Sequence, residues 1–99
     1  MAQQFDLYRL ATGTYVVVLQ SDLLDEMKTR VVAPLLPASA VANRIARLNP
    51  SLMIGTDAYL LMPQLAATLT LAELGEKAGS LTLWRDEIQR AIDTLISGI

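Results

Sequence analysis

The sequence contains neither cysteine nor histidine. Their absence excludes disulfides, thiolate nucleophiles, imidazole bases and the common zinc sites, so any chemistry would fall to Asp, Glu, Lys, Arg, Ser, Thr or Tyr. A basic excess is missing too: 8 Lys and Arg stand against 10 Asp and Glu, for a net charge of −2. Such a chain has little with which to neutralise a run of phosphates and is expected not to grip nucleic acid alone. No uninterrupted apolar run is longer than Tyr15–Leu19, whereas a membrane span needs about 20 mostly apolar residues. The stretch Met1, Ala2, Gln3, Gln4, Phe5, Asp6 lacks the basic and apolar regions of a secretory signal. Both features point to a cytoplasmic protein without a membrane partner. Gly55, Gly75 and Gly79 fit no phosphate-cradling pattern and read as turn residues.

What is present is an apolar surplus in a short chain. With 99 residues there is room for a single domain, 1–99. Yet 53% of the residues are apolar, above the ~45–50% of ordinary soluble domains. A domain of this size buries roughly 60–70% of the surface that its unfolded chain exposes. The surplus therefore calls for a second copy.

Periodicity supplies a run of strands. Phe5, Leu7 and Arg9 alternate with Asp6, Tyr8 and Leu10 as in a half-buried strand, and Thr12, Gly13 and Thr14 read as a turn. Tyr15–Leu19 does not alternate, which predicts a central strand covered on both faces. Residues 21–29 form a polar loop that displays Leu23 and Leu24, either as a satellite core or as a contact surface. Val31–Ala33 resumes the strand pattern. Pro34 and Pro37 cannot donate ladder hydrogen bonds, so they are placed at a strand edge or end, with the sheet stopping or bending near Leu35. Val41, Ile45 and Leu48 are spaced for a short helix, but an irregular insert fits 38–48 equally well. Leu52–Ile54 and Ala58–Met62 read as a hairpin around a three-residue loop, Gly55, Thr56 and Asp57, and Pro63 ends its second strand. Ala67–Leu71 offers one more strand, and 73–80 a polar, flexible connection.

The last element is a helix. Thr82 is placed to cap it, Asp86 and Glu87 suit its positive N-terminal end, and Asp86 with Arg90 makes an i,i+4 pair. Trp84, Ile88, Ala91, Leu95 and Ile99 share one stripe, widened by Ile92 and Ile96, while Gln89, Asp93 and Thr94 face away. The residues alone thus predict a small, strongly twisted antiparallel sheet or partly open barrel with a C-terminal helix packed on it.

No arrangement in the sequence calls for a cofactor, a metal or a catalytic group. Asp25 and Glu26 are expected to be solvated loop carboxylates rather than an acid and base pair, and Arg44 and Arg47 to be solvated cations.

The segment Gln20, Ser21, Asp22, Leu23, Leu24, Asp25, followed by Thr29, Arg30, Val31, Val32, Ala33, Pro34, Leu35, resembles the second and third strands of the CcdB toxin family. Asp86, Glu87, Ile88, Ala91, Ile92, Ile96, Gly98 and Ile99 are similar to the family's last helix and Gly-Ile terminus, and Gln4, Phe5, Leu7 and Tyr8 to its first strand. The likeness spans essentially the whole chain and is weakest in 38–50.

That resemblance implies a mainly β fold: an SH3-like, partly open barrel of antiparallel strands with a small additional sheet and a C-terminal α-helix, assembled as a homodimer. It implies a toxin that binds the A subunit of DNA gyrase and traps the gyrase–DNA cleavage complex without itself being an enzyme. It implies as well a CcdA-like antitoxin that neutralises the toxin and joins it in repressing their operon, so that DNA is met only through the antitoxin complex. By position, the gyrase contacts would be Gln4, Phe5, Tyr8, Ser21, Leu23, Leu24, Asp93, Ser97, Gly98 and Ile99. Leu95 would lie in the dimer interface.

One position departs from the family pattern: Ser97 stands where a Trp precedes the final Gly-Ile, which removes a large flat contact. Two other readings stay open. A MazF-type endoribonuclease would share the barrel but needs a basic RNA groove, and a non-toxic family member would act only as an antitoxin-binding module.

The apolar surplus and the Leu95 side of the helix lead to one expectation about assembly. Light scattering at micromolar concentration should return the mass of two chains. A monomer mass would contradict it.

Overall fold

The computed structural model describes residues 2–98. Among these, seven strands, β1 (Asp6–Arg9), β2 (Tyr15–Val18), β3 (Thr29–Pro37), β4 (Ser51–Ile54), β5 (Asp57–Leu61), β6 (Ala67–Thr70) and β7 (Glu76–Ser80), precede one helix, α1 (Arg85–Ser97). All strand pairings are antiparallel, in the order β4-β5-β3-β2-β1-β7, with β6 also paired to β3. The result is mainly β, a curled and partly open barrel carrying a C-terminal helix.

The unbroken apolar run of β2 is explained by its place between β1 and β3. Val17 packs with Leu7, Ala33, Leu35, Leu61, Ile88 and Ala91 on the helix side. Val16 and Val18 pack with Ala2, Val32 and Leu74 on the other. Each Val so buried contributes about 1.5–3 kcal/mol, and β-branched side chains suit this doubly covered, pleated position.

Strand β3 does not end at its first proline. Pro34 lies inside it, opposite Val16, and Leu35 pairs with both Tyr15 and Leu61. The reason is a change of partner. On the edge away from β2, residues Thr29–Val32 pair with β6 and Leu35–Pro37 with β5. A residue's N–H and C=O point to the same strand edge, and the Pro34 carbonyl accepts from Met62 N on the β5 side at 2.9 Å. The missing N–H therefore falls where β6 has ended and β5 begins. Pro37 does close the strand, as expected. The β4–β5 hairpin, joined to the second half of β3, stands where a small additional sheet was expected, and it is continuous with the other strands in one seven-stranded sheet.

Two local expectations are corrected, and the open choice at 38–48 is decided for the irregular insert. Ile54 pairs with Asp57, so the hairpin turn is the two residues Gly55 and Thr56, with Gly55 at φ 63°, as a tight two-residue connection needs. The segment 73–80 is not a free connection: Glu76–Ser80 is β7, paired with β1 and exposed throughout. It has no inward apolar residue to betray it. Lys77 sits 3.3 Å from the buried Asp6 carboxylate, and Gly75 (φ 74°) lets the chain pass where a β-carbon would collide with the Arg9 carbonyl. The stretch after β3 holds only a short 3-10 turn, Ala38–Ala40, and is otherwise irregular to Pro50.

The helix starts later than expected. Thr82 opens a 3-10 turn, Thr82–Trp84, and its hydroxyl lies 2.8 Å from that of Ser80; Trp84 takes the N-cap position without a side-chain bond. Asp86 and Glu87 do lie in the first turn. The ion pair, however, joins Arg90 to Glu87 at 3.7 Å rather than to Asp86. Ile88 and Ala91 are fully buried against the sheet, whereas Leu95 is 41% and Ile96 75% exposed. Among the described residues, only the first half of the apolar stripe is covered within one chain.

Leu74 reaches the second core from a 3-10 turn, Leu71–Leu74, that Thr70 and Glu73 cap reciprocally. The Glu73 carboxylate accepts from Thr70 N at 2.8 Å and from the Thr70 hydroxyl at 3.0 Å. The backbone bond first, then the side-chain bond, holds the Glu73 carboxyl below its ordinary 4.5. A carboxyl lowered in the folded state stabilises above its unfolded value and loses that contribution as pH falls through the lowered one. An NMR titration should therefore place Glu73 below 4.5, with Thr70→Ala moving it part of the way back. A midpoint at or above the ordinary value would contradict the capping box.

Candidate functional site

Leu23 and Leu24 owe their position to a side chain that faces the other way. Arg30, 1% exposed, extends its guanidinium under the loop 21–29 and meets main-chain carbonyls only. Its Nε donates to Ala2 O at 3.0 Å, one terminal nitrogen to Met27 O and Thr29 O, and the other to Asp25 O at 3.1 Å. Gln20 closes the neck of the loop. Its amide nitrogen donates to Leu24 O and Thr29 O, both at 3.2 Å, and its oxygen accepts from Val31 N.

The loop so held turns through a 3-10 segment, Asp22–Leu24, capped by the Ser21 hydroxyl, which accepts from Leu23 N at 3.1 Å. Leu23 is 92% and Leu24 50% exposed, so neither forms a satellite core. Gln4 stitches the N-terminal segment to this loop: its N–H donates to the Asp22 carboxylate at 2.8 Å and its side chain to Leu19 O at 2.9 Å. Asp25 and Glu26 are exposed.

Phe5 and Tyr8 belong to different faces. Phe5, at φ 69°, donates to Val18 O and accepts from Leu81 N, both at 2.7 Å, and packs half-buried on the helix-side core. Tyr8 packs with Leu10 and Leu69 on the opposite side of the sheet. It is thereby set apart from the helix end.

At that end, Asp93 and Ser97 are exposed, and the Asp93 carboxylate accepts from the Gln89 side chain at 3.2 Å. Gly98 stops the helix in the left-handed conformation, φ 73°, with its N–H bonded to Thr94 O. This is the αL closure that glycine permits without a β-carbon clash. Ile99, expected to be the terminal contact, lies outside the described residues.

The final turns of α1 form a ridge between two hollows. On one flank Ile92, Leu95 and Ile96 face Leu19, Gln20 and Val31 across an apolar groove of about 230 Å³. Ser21 follows directly from that groove and Ser97 follows from Ile96, so the groove joins the loop group to the helix-end group. On the other flank Asp93, Ser97 and Arg90 face Arg44, Arg47 and Ser51 across a cleft of about 760 Å³. The structure thus brings Gln4, Ser21, Leu23 and Leu24 together, sets Asp93, Ser97 and Gly98 nearby, and leaves Tyr8 apart.

Sequence reasoning missed Arg30 and the arginine cleft. The first had one legible signal, a lone arginine flanked by strand residues in the run Thr29, Arg30, Val31, Val32. Among the described residues no group of acidic side chains gathers as a metal site, and no helix is long and apolar enough to cross a membrane.

The model of a family described as CcdB protein matches residues 4–98, a span that takes in every described candidate residue.

Proposed function

Since the chain belongs to the CcdB family of toxins, components of toxin–antitoxin systems, we propose that it binds the A subunit of DNA gyrase and traps the gyrase–DNA cleavage complex. The observation that carries this reading is the exposure of Leu23 and Leu24 on a loop fixed from beneath by Arg30. Burying a leucine contributes about 1.5–3 kcal/mol, and a rigid display of two leaves that contribution to be gained on contact with a partner.

The work is done by binding rather than by bond chemistry. The loop group and the helix-end group are the two parts of the gyrase contact, with Gln4 and Ser21 supplying polar rim atoms and Asp93, Ser97, Gly98 and Ile99 the second part. Tyr8 contributes from behind the sheet at most. A second copy covers Leu95 and the rest of the apolar groove. A CcdA-like antitoxin, partly disordered until bound, neutralises the dimer and carries the basic surface by which the pair reaches its operator. The net charge of −2 supports that division of labour. The toxin acts where gyrase is, in the cytoplasm.

With purified gyrase, the full chain should accumulate cut DNA. Leu23→Asp with Leu24→Asp should reduce accumulation at least about thirtyfold, the loss of a ~2 kcal/mol hot spot, and removal of Gly98 and Ile99 should abolish it while circular dichroism shows both variants folded. Equal accumulation from all three chains, or none from the full chain, would overturn the assignment.

A further inference from the structure

The larger hollow beside α1 has a wall whose charge nothing in the fold uses. Arg44 and Arg47 are exposed on it, and among the described residues neither has an ion-pair or hydrogen-bond partner. The wall is nonetheless ordered. Asn49, 1% exposed, donates to Leu61 O and to the Gln64 side chain, both at 3.0 Å, and accepts from Ile45 N at 3.1 Å. Leu48 N and Asn49 N both return to Ile45 O. The turn that bears the two arginines is therefore tied to the end of β5 by a buried amide, and the guanidiniums project from a fixed base. Across the cleft, Arg90 adds a third cation, 3.7 Å from Glu87, and Ser97 leaves the space open with its short side chain.

We propose that this cleft docks an acidic segment of a protein partner, with its carboxylates against Arg44 and Arg47. The planar fork of arginine matches a carboxylate in bidentate fashion. A nucleic-acid backbone fits less well, because its continuous phosphates would pass Glu87 and Asp93 on the facing wall, whereas a peptide can set a carboxylate on one wall and an N–H or a basic side chain on the other. The proposal rests on the preceding reading for the role of Asp93 and Ser97 as partner contacts. The charge of the segment comes from the cleft itself. In this chain an electrostatic contact thus stands beside the position that lacks an aromatic anchor, and it gives the association a marked salt dependence.

The test uses the full chain and a fluorescein-labelled polyglutamate peptide, read by anisotropy at low and at physiological salt. The chain should bind saturably, Arg44→Glu with Arg47→Glu should weaken binding at least about tenfold, and Arg85→Glu, outside the cleft, should leave it unchanged. No binding, equal binding by the double variant, or tighter binding of an oligonucleotide of equal charge would overturn the proposal. The same variants are then tested on the A subunit of gyrase. If the peptide binds the cleft and gyrase does not bind the chain, the acidic-segment site stands and the gyrase reading falls. If the peptide needs the two arginines and gyrase binds the double variant as well as the parent chain, both readings stand and the cleft takes an acidic partner other than gyrase.

Discussion

A guanidinium sealed inside a small β protein is the constraint on which the partner-facing surface depends. Removing an arginine from water costs several kcal/mol unless its donors are satisfied. Here they are met by the carbonyls of Ala2, Asp25, Met27 and Thr29, each a charge-assisted bond of about 1.5–3 kcal/mol. Main-chain acceptors tie the guanidinium to backbone rather than to a flexible side chain. One residue of β3 therefore fixes the N-terminal segment and the loop 21–29 together, and the loop needs no apolar core of its own. That is why its leucines can point outward.

Pro34 sets the other half of the geometry. By letting β3 exchange β6 for β5 along one edge, it joins the barrel to the hairpin sheet without a break in the strand. Ile88 and Ala91 seat the first turns of α1 on that sheet, and the last turns then stand between the Leu95 groove and the arginine cleft. The helix end and the loop come from opposite ends of the chain. They meet near Leu19–Gln20 because β2 delivers the loop beside the groove.

How much of this was legible in the sequence depended on whether a residue's role was periodic. Tyr15–Val18 and the helix were readable because continuous apolar runs and 3.6-residue stripes are the direct imprint of burial. β7 was not, since Glu76–Ser80 is exposed throughout and is held by its backbone pairing and by the Lys77–Asp6 contact. Pro34 misled because a proline rule drawn from one edge of a strand cannot foresee that the other edge will change partner there. The exposed pair Leu23 and Leu24 was visible as an anomaly, but its cause was not. Arg30 resembles any surface arginine until the carbonyls that surround it, 1 to 28 residues away in sequence, are brought together. The arginine cleft is hidden for the same reason: Arg44 and Arg47 are solvated, as expected, and become a wall only when Asn49 docks their turn on β5.

Arg30 is the main hold on the partner loop, with Gln20 and Gln4 beside it, while the rest of the fold stands without it. Hydrogen exchange on Arg30→Met tests this directly, because the amides of Leu24, Asp25 and Met27 each close a turn within the loop. These amides should exchange at least about tenfold faster in the variant, a loss of ~1.4 kcal/mol of local protection, while Ile88 and Ala91 in the helix keep theirs. Unchanged exchange in the loop, or an equal loss of protection in loop and helix, would contradict the claim.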